Sequence, residues 1–285
     1  MQVNRKTLNL DGTLRQDFYF CSDIHFGNKG CDIKLFKKEL KEAKKRDCRI
    51  LIIGDLYDLI YSKDPRHNPS MLIPELQGRD DAVDKAIELL VKILNPYSTL
   101  IDGIGMGNHE LAFIKYNNTD PTARTIRELN CGTETHICNL GYSGYMLYDL
   151  KTNNKIRTTF DILYHHGKGG ESQVTKGMID INRKQTSWIY DLYIFGHKHK
   201  TIAARDCRIM PHRGNTPETD WIESRPMKSS QVGGFQQNYP KDEEGKLPGY
   251  SEIKEHSPSP LGGVFGHVDL IRTNGHYTIK TVVEI

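Results

Sequence analysis

The sequence predicts a layered α/β fold, on three observations. Short apolar runs that read as buried strands alternate with segments of helical period from Asp17 to Glu110, which is the pattern of β-α-β units. The middle of the chain then switches to two adjoining strand-like runs on either side of Thr152–Asn154, the signature of a hairpin. Finally, almost every strand-like run ends in Asp, Asn or His, and open α/β sheets build their sites at the carboxyl ends of strands.

Taken in order, "DFYFCSD" reads as a short buried strand ending at Asp23. Residues 33–46 read as an amphipathic helix, with Ile33, Leu35, Phe36, Leu40 and Ala43 near helical spacing and the lysines on a solvated face. "RILIIGD" is a second buried strand, ending at Asp55, and "DKAIELLVKILN" a helix stopped by Pro96. "STLIDGIGMGNHE" is a third strand running into a glycine-rich turn. "YMLYDLK" and "KIRTTFDILYHHG" form the hairpin, and "DLYIFGHKHK" is a further short strand. The last two strands, "VFGHVDLIR" and "YTIKTVVEI", flank a turn at Thr273–Gly275. Residues 62–80, with three prolines, and 211–260, rich in Pro, Gly, Ser and charge, read as long loops, which in a domain are usually functional or disordered. The expectation is a single domain over 1–285 carrying these two insertions.

Composition excludes several classes. The 37% apolar and 26% charged residues are those of an ordinary globular protein. No apolar run approaches the length of a membrane span, and the polar start "MQVNRKTLNLDG" lacks a secretory core; a cytoplasmic protein without membrane contact is expected. None of the six cysteines forms a C-x-x-C pair, so reduced thiols are expected and a thiolate zinc site is disfavoured. The net charge of +3 comes without a strongly basic, aromatic-rich stripe, so it says little about nucleic acid as a partner.

The chemistry lies in "SDIH", "GDLYD", "GNHE", "HHG" and "GHKH". In extended chain, residues two apart share a face, so Asp23 with His25, and His197 with His199, can each serve one centre. By the same rule His165 and His166 face opposite ways, and one of them faces a site. Singly, each motif reads as a turn, and "GNHE" as a helix start with Asn108 as N-cap. Together they bring Asp, Asn and His from five strand ends to one edge, where unpartnered polar groups would be costly.

As a set, Asp23-Ile24-His25, Gly54-Asp55-Leu56-Tyr57-Asp58, Gly107-Asn108-His109-Glu110, His166-Gly167 and Gly196-His197-Lys198-His199 resemble the motif series of the calcineurin-like metallophosphoesterases. The resemblance implies a β-sandwich of mixed sheets flanked by helices around two metal ions. It implies Asp23, His25 and His199 on the first metal, and Asn108, His166 and His197 on the second. Asp55 would bridge them, and His109 would be catalytic with Asp58 as its partner. It selects His166, which precedes Gly167, and turns His165 away. None of these positions is substituted, which speaks against a scaffold with a purely structural metal.

The mixed imidazole, carboxylate and amide donors suit Mn, Fe, Zn, Co or Ni better than Ca or Mg, with manganese the first choice. Two divalent ions bring four positive charges, of which Asp23 and Asp55 offset two, leaving a cationic site fit for a phosphate. The implied reaction is hydrolysis of a phosphate ester through a metal-bound hydroxide. His109 would protonate the leaving group or hydrogen-bond the transition-state oxygens. A phosphodiester in a nucleic acid or nucleotide is preferred as substrate over a monoester. The Arg-Gly that follows G-D-x-x-D in protein phosphatases is replaced by Leu59-Ile60. Lys168 reads equally as a point charge toward phosphate and as a solvated loop lysine.

Overall fold

The computed structural model describes residues 1–60, 64–65, 67–132, 136–169, 175, 178–212, 218, 220–237, 258–273 and 276–284. Runs buried on both faces make the centre of the first sheet. β2 (Arg15–Cys21), β3 (Arg49–Ile52), β4 (Ile101–Gly105) and β5 (Cys138–Gly141) lie parallel in that order, and β11 (Val264–Thr273) and β12 (His276–Glu284) extend the sheet antiparallel beyond β2. The second sheet runs β1 (Gln2–Asn9), β6 (Ser143–Thr152), β7 (Lys155–His165), β8 (Leu192–Phe195), β10 (Trp221–Gln231), β9 (Ile202–His212). Both sheets mix parallel and antiparallel pairs.

Side-chain alternation then makes four layers. Phe18 and Phe20 of β2, with Leu51 of β3, meet Tyr148, Phe160 and Ile162 of the second sheet in the inner core. Tyr19, Cys21, Ile50 and Ile52 point the other way, onto Phe36 and Leu40 of α1 (Ile33–Lys45) and Leu90 and Leu94 of α2 (Ala82–Leu94). On the far side of the second sheet, Leu163, Tyr193 and Phe195 cover Ile181 of α5 (Met178–Ser187). Strands covered on both faces read as continuous apolar runs, which is why β2, β3 and β4 stand out in the sequence. The expected mixed α/β class, two mixed sheets flanked by helices, is what the chain adopts. No helix among the described residues is long and apolar enough to cross a membrane.

Some elements differ from the sequence reading. β1 occupies the polar N-terminus as an edge strand, paired with β6 alone among the described residues, and its largely exposed pattern hides it. The 211–260 segment is not all loop: β10 lies within it and pairs along β9 from Trp221↔His212 to Gln231↔Ile202. Of the remainder, 213–217, 219 and 238–257 lie outside the described residues, as do 274–275 of the final turn and 62–63 and 66 of the 62–80 loop. That loop carries two 3-10 turns, Pro69–Met71 and Pro74–Leu76, and buries Leu72 and Leu76. Two further helices, α3 (Asn108–Asn117) and α4 (Pro121–Asn130), follow β4.

Candidate metal centre

Backbone hydrogen bonds bring the strand ends together. Beyond β2 and β3, the Asp23 amide donates to the Gly54 carbonyl (2.9 Å), that of His25 to Asp55 (3.0 Å) and that of Asp58 to Phe26 (2.9 Å). In the second sheet, the Gly196 amide donates to the His166 carbonyl at 2.9 Å. The two sheets are joined at this edge when the His197 amide donates to Asp23 Oδ2 at 2.8 Å.

The side chains form two groups. In the first, His199 Nε2 lies 3.1 Å from His25 Nε2 and 3.4 Å from Asp23 Oδ1. In the second, His166 Nε2 lies 3.2 Å from Asp55 Oδ2 and 3.1 Å from Asn108 Oδ1, and the His197 ring stands 5.3 Å from that of His166. Donor atoms of Asp23, His25 and His199 fall within 4.8 Å of one another, as do those of Asp55, His166 and His197. Asp55 Oδ2 is also 4.0 Å from His25 Nε2, so one carboxylate reaches both groups. Asp23, His25, Asp55 and His166 are each at most 2% exposed.

A divalent cation fits this donor set. Asp23 Oδ1 is buried without a hydrogen-bond partner, a costly state for a carboxylate that faces no cation. Burial alone would raise Asp23, but the charge of the nearby His199 outweighs it and holds it down at about 2. Asp55 is likewise opposed by burial, yet His166 keeps it far below the ordinary range. Burial and the neighbouring His109 and His199 push His25 down to about 4, leaving a neutral imidazole able to ligate.

His109 and Asp58 pair beside these groups, and a ring nitrogen of His109 also falls within 4.8 Å of donor atoms of His25 and Asp55. The Nδ1 of His109 lies 2.8 Å from Asp58 Oδ1, and a carboxylate can only accept there. Burial pulls the imidazolium down, but Asp58 by hydrogen bond and charge, helped by Asp55 and Glu110, holds it up at about 9. The His109 amide also donates to Asp55 Oδ1 at 2.9 Å. The helix begins one residue earlier than "GNHE" alone suggests: Gly107 is the N-cap, and Asn108 is the first helical residue.

Backbone strain gathers at the same positions. Asp23, His25, Asp55, His197 and His199 all have left-handed φ, between 45° and 76°, conformations that cost on the order of 1–3 kcal/mol each and cluster at functional sites. Two glycines permit the approach. A Cβ on Gly54, at φ +123°, would come within 2.8 Å of His166 Nδ1. One on Gly107 would overlap the Asp55 carboxylate and stand 2.6 Å from His166 Nε2.

All nine residues singled out in the sequence meet at this edge: Asp23, His25, Asp55, Asp58, Asn108, His109, His166, His197 and His199. His165 stays out. Its Nδ1 accepts from the Gly167 amide at 2.8 Å, and its ring stacks edge-on against Tyr142. Lys198 pairs with Asp180 of α5, and Lys168 is exposed. Three neighbours escaped the sequence reading. Glu110 accepts from the amides of Tyr57 and Gly107, each at 2.7 Å; its place three residues after the N-cap is a capping-box signal. Asn28 donates to Asp58, and Tyr142 packs its ring 5.4 Å from that of His166; neither has a local sequence signal.

No family model and no curated protein matches the chain. Similar solved structures include a predicted phosphoesterase from Streptococcus pneumoniae, 10% identical over 94% of this chain and 98% of that one, with a TM-score of 0.31. GAP50, the anchor in the inner membrane complex of Plasmodium, is 10% identical over 94% and 84% (TM-score 0.39). A Vps29 double mutant from Entamoeba histolytica is 14% identical over 70% and 89% (TM-score 0.27). Likenesses this distant bear on neither site nor activity, which rest on the side-chain geometry.

Proposed function

We propose that this chain is a dinuclear-metal phosphoesterase acting on a phosphodiester of a nucleic acid or nucleotide. The observation that carries the reading is the arrangement of two His/Asp groups joined through Asp55, with the His109–Asp58 pair alongside. Asp23, His25 and His199 would hold one ion, and Asn108, His166 and His197 the other, with Asp55 shared. Bound there, two divalent ions supply Lewis-acid stabilisation of a phosphoryl group and lower the pKa of a coordinated water.

The chain's own residues supply the rest. Asp58 accepts from Nδ1 of His109, which fixes the ring and favours its protonated form. Nε2 of His109 then gives its proton to the oxygen that leaves phosphorus. The strained ligand backbone holds the donors in place before substrate arrives. A monoester dianion gains most from an added guanidinium. The position after Asp58 is instead Leu59, buried in the apolar core, which supports the diester.

The test is a substrate screen with Mn²⁺, comparing a bis-aryl phosphodiester, an aryl phosphomonoester, and single- and double-stranded DNA and RNA. Hydrolysis of the diester, and of at least one nucleic acid or a nucleotide diester, is expected. Preference for the monoester overturns the substrate class. No hydrolysis of any substrate, with two ions bound, overturns the enzymatic reading.

A further inference from the structure

The His109–Asp58 pair has a third member. Asp58 is 4% exposed and offers two oxygens. Oδ1 takes His109 Nδ1, and Oδ2 accepts from Asn28 Nδ2 at 2.7 Å. Asn28 is itself buried, at 7% exposure, and its Oδ1 accepts from the Gly30 amide at 2.7 Å. The amide orientation is therefore forced: a backbone N–H can only donate and a carboxylate can only accept, so oxygen faces Gly30 and nitrogen faces Asp58.

The backbone around Asn28 is held as well. The Lys29 amide donates to the Met71 carbonyl at 2.8 Å, and the Ile73 amide to the Gly27 carbonyl at 3.0 Å. Asn28 pairs with Leu72 in an isolated bridge, and Leu72 and Leu76 are buried. The stretch 67–77, read from sequence as part of a loop, braces the turn that carries Asn28.

We propose that Asn28 is a positioning residue for His109, acting through Asp58. A carboxylate with one partner can rotate about Cβ–Cγ, and the imidazole it orients moves with it. Donation from Asn28 to the second oxygen removes that freedom. The Asn28 side chain bonds Asp58 and the Gly30 amide, while its backbone amide, which a substitution keeps, donates to the His25 carbonyl at 3.2 Å; losing the side chain therefore bears on the proton step and is expected to spare metal and substrate binding. The proposal rests on the phosphodiesterase reading for its kinetic arm only.

The experiment uses the full chain as Asn28→Ala and Asn28→Ser, the serine keeping a turn-forming acceptor for Gly30. With Mn²⁺ and the bis-aryl phosphodiester, kcat is expected to fall about tenfold to hundredfold, the usual effect of losing an outer hydrogen-bond partner. KM and the bound metal should hold. In an Asp58→Asn background the same substitutions should cost nothing further. Independently of activity, the Nδ1 proton of His109 in the metal-free chain, assigned by its absence in His109→Ala, should shift or broaden in both Asn28 variants. An unchanged kcat in a folded Asn28→Ser, a full additional loss in the Asp58→Asn background, or an unmoved His109 resonance overturns the proposal. If the wild-type chain hydrolyses no phosphodiester, the functional reading fails, while the resonance still decides the role of Asn28.

Discussion

Two adjacent histidines show how finely the site discriminates. His166 is fully buried and places Nε2 against Asp55 and Asn108, whereas His165 spends its Nδ1 on the Gly167 amide. Burial pushes His165 down to about 4, whereas for His166 burial is outweighed by the Asp55 carboxylate, which holds it up at about 9. Adjacent residues at the end of β7, His165 its last and His166 the first beyond it, thus acquire opposite electrostatics from the different partners they face. The expected outcome follows from this. His166→Ala should lose at least one bound ion per chain by elemental analysis, and phosphodiesterase activity should fall at least on the order of a hundredfold, as when a transition-state charge stabiliser is removed. His165→Ala should keep its metal and lose about 1 kcal/mol of stability, the usual worth of one hydrogen bond. Equal metal loss in both variants would overturn the assignment of His166.

At the scale of elements, α3 shows what holds the candidate metal edge in register. Its first residues carry Asn108 and His109, and its cap is closed by Glu110, whose two oxygens take the amides of Gly107 and Tyr57. One side chain therefore fastens the start of α3 to the segment after β3 that bears Asp55 and Asp58. Burial and the charge of Asp55 push Glu110 up to about 7, against the pull of those two amides. Glu110→Ala would leave two buried amides unpaired, at about 1–3 kcal/mol each. A loss of roughly 2–6 kcal/mol of unfolding free energy, read as a lower urea midpoint, is expected, and a midpoint unchanged from wild type would remove Glu110 from this role. The same element explains what the sequence could and could not reveal. Asp55, Asn108 and His109 follow doubly buried strands whose apolar runs mark the strand ends. Asn28 and Tyr142 act on partners 30 and 24 positions away, on other segments, and nothing local in their sequence signals it. β1 and β10 are hidden for a related reason: both are paired along their length, but β1 is largely exposed and β10 is polar over much of its sequence, so neither carries the apolar run that marks β2 and β3.

Across the whole molecule, the two sheets are tied at both ends of the sandwich by buried aspartates. At the metal edge, Asp23 accepts from the His197 amide. At the other end of the parallel strands, Asp102 of β4 accepts from Tyr148 Oη of β6 at 2.7 Å and pairs with Lys6 Nζ of β1 at 2.8 Å, both across the sheet interface, and with Arg49 of β3 in its own sheet. Burial would raise Asp102, but Arg49 and Lys6 more than compensate and hold it below the ordinary 3.8. A carboxylate depressed in the folded state stabilises above its unfolded pKa, and that contribution is lost as the pH falls through the folded value. The wild-type urea midpoint should therefore be insensitive to this group near neutrality and decline below about pH 4. Asp102→Asn should be less stable at pH 7 by about 3 kcal/mol, because Lys6 and Arg49 keep their charge without a counter-charge. Its midpoint should fall less steeply than that of wild type as the pH drops below 4. Parallel acid profiles for the two proteins would mean that Asp102 is not what joins the sheets electrostatically. The metal content of Asp102→Asn should be unchanged, since Asp102 sits at the opposite ends of the strands from the ligands, and this separates a fold-wide clamp from an effect on the site.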